Sequence, residues 1–170
     1  MLSMHKIAKK TLWDKDDIEV GEFIFSDNGK KKVKKYIELK RKVVLIVPCD
    51  EKYAYLLKEY RPLYKKTVWR LVAGALKKNE TPKQGAAREL FEETGIKSRK
   101  LTLLGSYEYM GWVKFPIFVF KAENLTFHNQ KLDFYEKIKV VKVPLSKAKK
   151  IALQDVVEPH HAFGLLKALN

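Results

Sequence analysis

The segment GALKKNETPKQGAARELFEETGI, residues 74–96, contains the start and stop signals of a helix. Thr81 is a favoured N-cap residue, Pro82 suits the first helical position, and Gln84 completes a capping box with Thr81. Gly95 suits the position just past the C-terminus, because glycine adopts left-handed backbone angles without steric cost. The segment therefore predicts a helix that begins at Pro82 and ends just before Gly95.

The side chains of this helix divide between an apolar face and an acidic face, at about 100° per residue. The apolar face, which would pack on the core, comprises Ala86, Ala87, Leu90, Phe91 and Thr94. The opposite face carries Glu89, Glu92 and Glu93. Like charges three or four residues apart each cost a few tenths of a kcal/mol, and the helix dipole disfavours anions near the C-terminus. Such conflicts with folding rules are expected where function selects the residues.

A divalent cation would remove this conflict, because Mg²⁺ and Mn²⁺ prefer hard oxygen ligands such as carboxylates, water and phosphate. Gly85 leaves room beside the glutamates. Arg88 can pair with Glu92, four residues on, and hold that carboxylate in orientation. For the helix alone, a solvated acidic face without a metal is an equally good interpretation. The residues that precede the helix separate the two interpretations.

The loop and the helix together carry a long motif with fixed spacing. They match G-x5-E-x7-R-E-U-x-E-E-x-G-U, with U an aliphatic residue, and in this pattern the chain resembles the Nudix hydrolases. The matching residues are Gly74, Glu80, Arg88, Glu89, Leu90, Glu92, Glu93, Gly95 and Ile96. A chance match at so many constrained positions is far rarer than a match to a short glycine motif.

The resemblance implies an enzyme that hydrolyses a nucleoside diphosphate linked to another moiety, with Mg²⁺ or Mn²⁺ as cofactor. By the same resemblance, Glu89 and Glu93 are the main metal ligands, and Glu92 contributes directly or through water. The backbone carbonyl of Ala73, in the dipeptide AG, is a further expected ligand. The other two charged residues of the signature, Glu80 and Arg88, would brace the loop and the helix. We group Arg88 and Glu92 with the catalytic residues, because one orients the other.

Within the family, the sequence EYRP ahead of WRLVAGAL resembles the ADP-ribose pyrophosphatase branch. That branch implies homodimers whose N-terminal parts reach the partner's site, and Arg61 would bind a phosphate or ribose. In the loop LDFYEKIKVV, Glu136 best matches the acid that positions or deprotonates the attacking water, with Asp133 second. Trp13 and Trp69 are candidates for stacking on a base, although packing in the core explains each tryptophan at least as well.

Two departures from this branch leave the substrate open. Trp112 stands sixteen residues beyond the signature, where the branch often has proline, and Val72 replaces the usual proline before AG. ADP-ribose, cleaved to AMP and ribose 5-phosphate, is the best single expectation. The alternatives are a GDP-sugar or another nucleotide, a triphosphate or RNA 5′ end, and a non-catalytic nucleotide-binding regulator.

The order of the elements favours the α+β class. It also resembles the Nudix fold, which is an α/β/α sandwich around a mixed sheet. Strands outnumber helices, and most helical patterns come late in the chain. We expect KVVLIVP to be a buried central strand and KYAYLLKEYRP to pair with it across a turn near Asp50. Asn28-Gly29 predicts a tight hairpin. Residues 1–40 would form an N-terminal β-strand extension involved in dimerisation, and residues 41–170 the Nudix hydrolase domain.

The composition fits a globular protein in a reducing compartment. The chain has 170 residues, 46% of them hydrophobic, and a single cysteine, Cys49. The longest apolar run, VVLIVP, is too short to span a membrane and no signal-peptide pattern occurs, so we expect a cytoplasmic protein. The net charge of +15 favours anionic partners such as nucleotides. The basic run Lys30–Lys42 includes one aromatic residue, Tyr36, and predicts a solvated hairpin face rather than a nucleic-acid-binding stripe.

Overall fold

The computed structural model describes residues 5–27, 29–108, 111–130, 137–156 and 158–170. In chain order the strands are β1 (His5–Lys15), β2 (Ile18–Asp27), β3 (Lys30–Leu39), β4 (Val43–Pro48), β5 (Tyr53–Arg61), β6 (Lys66–Arg70), β7 (Val72–Ala75), β8 (Ile96–Glu108), β9 (Val113–Lys114), β10 (Pro116–Phe127) and β11 (Ile138–Pro144). The helices are α1 (Pro82–Thr94), α2 (Leu145–Gln154) and α3 (Pro159–Leu169), and a 3₁₀ turn spans Pro62–Tyr64.

The chain divides into two compact units, of which the first comprises Met1–Lys42 and Tyr107–Pro116. Its sheet has the order β1-β2-β3-β9, with β1, β2 and β3 antiparallel. The predicted hairpin joins β2 to β3, where Asp27 pairs with Lys30 across a two-residue connection. Gly29 has φ +76°, in the left-handed region that such a turn requires.

One face of this sheet encloses a charged group. Glu19 is buried, accepts a hydrogen bond from the hydroxyl of Tyr36, and lies 2.7 Å from the ammonium of Lys9. Because Lys9 and Tyr36 both donate hydrogen bonds to it, the pKa of Glu19 falls to about 2. The pairing keeps this carboxylate ionised inside the first unit.

The second unit comprises Val43–Ser106 and Ile117–Asn170 and contains two sheets. One has the order β7-β4-β10-β8, and the other has the order β11-β5-β6. The expected pairing of β4 with β5 is wrong: β4 pairs parallel with β10 and antiparallel with β7, while a single bridge joins Cys49 to Ala54. β4 and the first half of β5 are continuous apolar runs, and such runs carry little information about which strand is the partner.

Helices cover both faces of the sheet that contains β4. Val44 and Ile46 belong to the core cluster that includes Leu90 of α1. On the alternate face of the strand, Gly164 of α3 lies against Leu45. This arrangement of helix, mixed sheet and helix confirms the predicted α+β sandwich. Among the residues described, no helix is long and apolar enough to cross a membrane.

Helix α1 has the predicted bounds and caps. The backbone N–H of Gln84 donates to the hydroxyl of Thr81, and the Gln84 side chain accepts from the Thr81 backbone N–H. Gly95 ends the helix with φ +69°, and its N–H donates to the carbonyl of Phe91. Two side chains differ from the predicted faces: Ala87 is exposed, whereas Glu93 is only 4% exposed. Part of the acidic face is therefore covered by protein.

The capping box predicts a specific stability effect. Thr81→Ala removes the hydroxyl that caps α1 and should lower the free energy of unfolding by about 1 kcal/mol. Thr81→Ser keeps the hydroxyl and is the matched control. Urea denaturation of the three proteins measures the difference. Equal loss of stability in both variants would contradict a role for the hydroxyl.

Candidate active site

Arg88 occupies the centre of the site and ties the loop before α1 to the helix. Its guanidinium donates two hydrogen bonds to Glu80, both of 2.8 Å, and one of 3.1 Å to the backbone carbonyl of Ala75. It also donates to Glu89 at 2.6 Å and to Glu92 at 2.9 Å. These bonds use all five N–H groups of the arginine. Arg88 is therefore placed to hold the carboxylates rather than to contact a substrate.

Glu80 forms the loop side of this arrangement. It receives the bidentate hydrogen bond of Arg88 and a further bond of 2.9 Å from the backbone N–H of Lys77. The Arg88 guanidinium holds the pKa of Glu80 at about 2, well below its ordinary value of 4.5. The pairing with Glu80, followed by that with Glu89 and Glu92, raises the pKa of Arg88. This pair is ionised at any physiological pH and fixes the loop on the helix.

Gly74 allows a glutamate of α1 to approach the backbone of β7. A Cβ atom at position 74 would overlap the carboxylate of Glu89. A larger residue at this position would displace the Glu89 carboxylate, so glycine is favoured here by a close contact, not by its backbone angles. Gly85 plays a different part from the one expected, because a Cβ there would overlap Leu76. Its small size lets the loop pack on the helix.

Glu93 is held against the edge of the sheet. One of its oxygens accepts a hydrogen bond of 3.1 Å from the backbone N–H of Ala73. Ala73 lies opposite Leu45 in the antiparallel ladder, and β7 is the outer strand of that sheet. The N–H and C=O groups of one residue in such a ladder point to the same side. The Ala73 carbonyl is therefore turned outward from the ladder, on the side of Glu93.

These residues form a set of hard oxygen donors suited to a divalent cation. The carboxylate of Glu89 lies against Gly74, that of Glu93 lies at Ala73, and Glu92 is the most exposed of the three glutamates. A cation of the Mg²⁺ or Mn²⁺ type takes such ligands and also reduces their mutual repulsion. The donor set of the site thus fits a metal of this class.

The other residues predicted from the sequence lie on several elements. Arg61 ends β5, where its guanidinium lies 3.2 Å from Glu59 and 3.6 Å from Glu158. Trp69 lies on β6 with the ammonium of Lys58 4.6 Å from its ring centroid. Trp13 lies on β1 of the first unit and is half-exposed. Glu136 and Asp133 lie outside the described residues.

An ionic network that was not predicted from the sequence joins β5, the end of β6 and the residue before α3. Arg70 pairs with Glu59, and Glu158 lies 3.6 Å from Arg61 and 3.8 Å from Arg70. Glu158 also accepts a hydrogen bond of 2.8 Å from His161. In the sequence, only the dipeptide His160-His161 pointed to this network, because its other members are far apart along the chain.

Glu158, His160 and His161 place one possible ligand atom each within 4.8 Å of one another. The backbone N–H of Leu71 donates to Nδ1 of His161 at 3.1 Å, so the ring proton is on Nε2, which faces Glu158. Burial lowers the pKa of His161 to about 4 and keeps this ring neutral at pH 7. A metal on Nε2 would need the lone pair of a nitrogen that is protonated. The cluster is therefore a hydrogen-bonded group, not a metal site.

Comparison with known proteins agrees with the geometry. The family described as the NUDIX domain matches residues 39–156. The chain belongs to the Nudix family. This result confirms the resemblance seen in residues 74–96 and the prediction of an enzyme of the pyrophosphohydrolase type.

Two curated relatives of this Nudix protein have known activities. An ADP-ribose pyrophosphatase of Bacillus subtilis (strain 168) is 32% identical over 149 residues, which are 85% of this chain and 80% of that protein. An RNA pyrophosphohydrolase of Baumannia cicadellinicola subsp. Homalodisca coagulata is 35% identical over 54 residues, which are 32% of this chain and 33% of that protein. The longer match supports the predicted likeness to the ADP-ribose pyrophosphatase branch.

A solved structure of an ADP compounds hydrolase has the same fold. The two structures superpose with a TM-score of 0.82 at 21% sequence identity. The match spans 96% of this Nudix chain and 91% of the chain of the hydrolase. The likeness confirms the Nudix fold for nearly the whole chain.

The ion pair of Glu80 and Arg88 predicts an acid-dependent loss of stability. A carboxylate whose folded pKa is lowered stabilises the protein above its ordinary pKa, and this contribution disappears as the pH falls through the folded value. Glu80→Gln should therefore reduce the free energy of unfolding by about 2 kcal/mol at pH 7. Between pH 4.5 and about 2 the difference from wild type should shrink towards zero.

Urea denaturation of both proteins at a series of pH values measures this difference. A gap that stays constant down to pH 2 would mean that the charge of Glu80 does not account for its contribution.

Proposed function

We propose that this Nudix protein hydrolyses the pyrophosphate bond of a nucleoside diphosphate sugar, and that ADP-ribose is cleaved to AMP and ribose 5-phosphate. The observation that carries the proposal is the grouping of Glu89, Glu92 and Glu93 beside the edge of β7, where Gly74 makes room for a carboxylate. The choice of ADP-ribose is supported by the curated relative that matches 85% of the chain.

The cofactor in this proposal is Mg²⁺, with Mn²⁺ as the substitute. Glu89 and Glu93 would be the main ligands, joined by Glu92 and the backbone carbonyl of Ala73. When bound, a divalent ion neutralises the pyrophosphate, polarises its phosphoryl oxygens and lowers the pKa of a water molecule. Arg88 maintains the spacing of the ligands, because it binds Glu89 and Glu92 simultaneously.

The remaining roles follow the same proposal. Arg61, about a third exposed, presents a guanidinium that can bind a phosphate or ribose oxygen. Glu136 would position or deprotonate the attacking water. Trp69 and Trp13 are candidates for contact with the base. The substrate is a small nucleotide, the positive net charge of +15 raises its local concentration, and the proposed compartment is the cytoplasm.

A triphosphate or the 5′ end of an RNA is the second candidate substrate. Its support is the match of 54 residues to an RNA pyrophosphohydrolase, which covers a third of this chain. The basic strand β3, with Lys30, Lys31, Lys32, Lys34 and Lys35 all exposed, would attract a longer polyanion. ADP-ribose remains the first choice, because its relative matches most of the chain.

A substrate panel with and without Mg²⁺ tests the proposal. ADP-ribose should be cleaved to AMP faster than GDP-mannose, dinucleotides, triphosphates or 5′-triphosphorylated RNA, and chelation of the metal should stop the reaction. Glu93→Gln should lower kcat at least about a hundredfold, because a metal ligand is lost. The exposed Glu51→Gln is the matched control and should retain full activity. No turnover of any substrate would refute the enzyme assignment, and full activity of Glu93→Gln would refute the ligand set.

We further propose that the protein is a homodimer assembled through the sheet of the first unit. Ile18 pairs with Leu39 and Val33 with Ile24, so these four side chains share one face of the sheet. Val33 is 54% exposed and Ile37, on the same face, is 39% exposed. Glu22 and Lys35 pair with each other on the same face, between the apolar pairs. Exposed apolar side chains grouped on one sheet face commonly mark a protein–protein interface.

Val33→Lys should convert the dimer to a monomer, because it places a charge at the most exposed of the three apolar residues Ile18, Val33 and Ile37 of this face. Leu63→Lys, the same kind of change at an 87% exposed leucine of the second unit, should leave the dimer intact. Size-exclusion chromatography with light scattering measures the mass of each protein. A monomeric wild type, or a dimeric Val33→Lys variant, would contradict the proposed interface.

A further inference from the structure

Leu71 marks a change of sheet in the polypeptide. It stands between β6, in the sheet β11-β5-β6, and β7, in the sheet β7-β4-β10-β8. The residue is 1% exposed, so its backbone N–H must be satisfied inside the protein. The acceptor is Nδ1 of His161, at 3.1 Å. A side chain of α3 therefore determines how the chain enters β7, two residues before Ala73.

His161 has a single orientation in this environment. It is 1% exposed, and its second nitrogen donates to Glu158 at 2.8 Å. Both ring nitrogens are thus used, which fixes the tautomer and the rotation of the ring. Gly164, three residues on, brings the same helix against the side chain of Leu71.

Glu158 connects this ring to the predicted substrate-binding arginine. It lies directly before α3, and its carboxylate is 3.6 Å from Arg61 and accepts a hydrogen bond of 3.4 Å from the hydroxyl of Tyr64. Arg61 is also bound by Glu59 at 3.2 Å. Among the residues that the structure describes, two carboxylates from different elements therefore hold the guanidinium and leave its other N–H groups to a ligand.

We propose that His161 and Glu158 are positioning residues that hold two parts of the active site in register. His161 sets the course of the backbone that presents Ala73 to the metal, and Glu158 sets the orientation of Arg61. The inference rests on the proposed function, in which Ala73 and Arg61 contact the metal and the substrate. His161 and Glu158 both lie outside the Nudix signature, and neither would touch the metal or the substrate.

The first arm of the test compares two variants of His161. Asn places its oxygen where Nδ1 stands and can still accept from Leu71, whereas Gln can still donate to Glu158 but leaves the Leu71 N–H without its acceptor. Affinity for Mg²⁺ alone, measured by calorimetric titration, should stay within about twofold of wild type in His161→Asn. It should fall about tenfold in His161→Gln. Equal affinities in the two variants would overturn the role of His161.

The second arm uses Glu158→Gln, which keeps an acceptor for His161 and removes the charge that holds Arg61. The KM for ADP-ribose should rise about fivefold, while kcat and the affinity for Mg²⁺ stay unchanged. Asp155→Asn, an exposed acid three residues earlier, is the control. An unchanged KM in Glu158→Gln, or a parallel loss of Mg²⁺ affinity, would overturn the separate role of Glu158.

A third measurement needs no variant and no substrate. In wild-type protein, imidazole ¹⁵N shifts should identify His161 as the Nε2–H tautomer, and the Leu71 amide should exchange slowly with solvent. The Nδ1–H tautomer or rapid exchange would refute the inference, even if His161→Gln fails to fold. If wild type binds Mg²⁺ but cleaves no nucleotide, the proposed function fails. The Mg²⁺ titrations, together with the tautomer and the amide exchange, still decide the role of His161.

Discussion

The five hydrogen bonds of Arg88 are the interaction on which the site depends. Two of them grip Glu80 and one reaches the carbonyl of Ala75, which fixes the loop. The other two hold Glu89 and Glu92 on the helix. A lysine side chain, which has fewer donors on a more flexible stem, could not bind the loop and the helix at once. The arginine thus keeps neighbouring carboxylates close together at a spacing that their repulsion would otherwise oppose.

The helix that carries these residues was predictable because its signals are local. Thr81, Pro82, Gln84 and Gly95 act within one turn of the helix ends, so the bounds of α1 follow from short-range chemistry. The division of its faces was less accurate. Glu93 is buried where its carboxylate meets the N–H of Ala73, and Ala87 is exposed because none of the described elements packs over it. Such outcomes depend on where β7 lies, which helical periodicity does not contain.

Contacts between distant parts of the chain account for what sequence reasoning missed. The apolar runs of β4 and β5 predicted strands correctly but not their partners, which are β10 and β7 for one and β11 and β6 for the other. The bond between Leu71 and His161 joins residues 90 positions apart. The pairing of Arg61 with Glu158 depends on the same docking of α3. The motif therefore identified the family and the helix α1, whereas the contacts of His161 and Glu158 became visible only in the fold.

The central claim is that the acids of α1 and the edge of β7 form a binding site for a divalent cation. The free energy of unfolding at pH 7, measured over a range of Mg²⁺ concentrations in the absence of nucleotide, tests it most directly. For one site, wild-type stability should rise by about 1.4 kcal/mol per decade of Mg²⁺ above the dissociation constant. In a variant with Glu89→Gln and Glu93→Gln together, the stability should not depend on Mg²⁺. Identical dependence in both proteins would contradict the account.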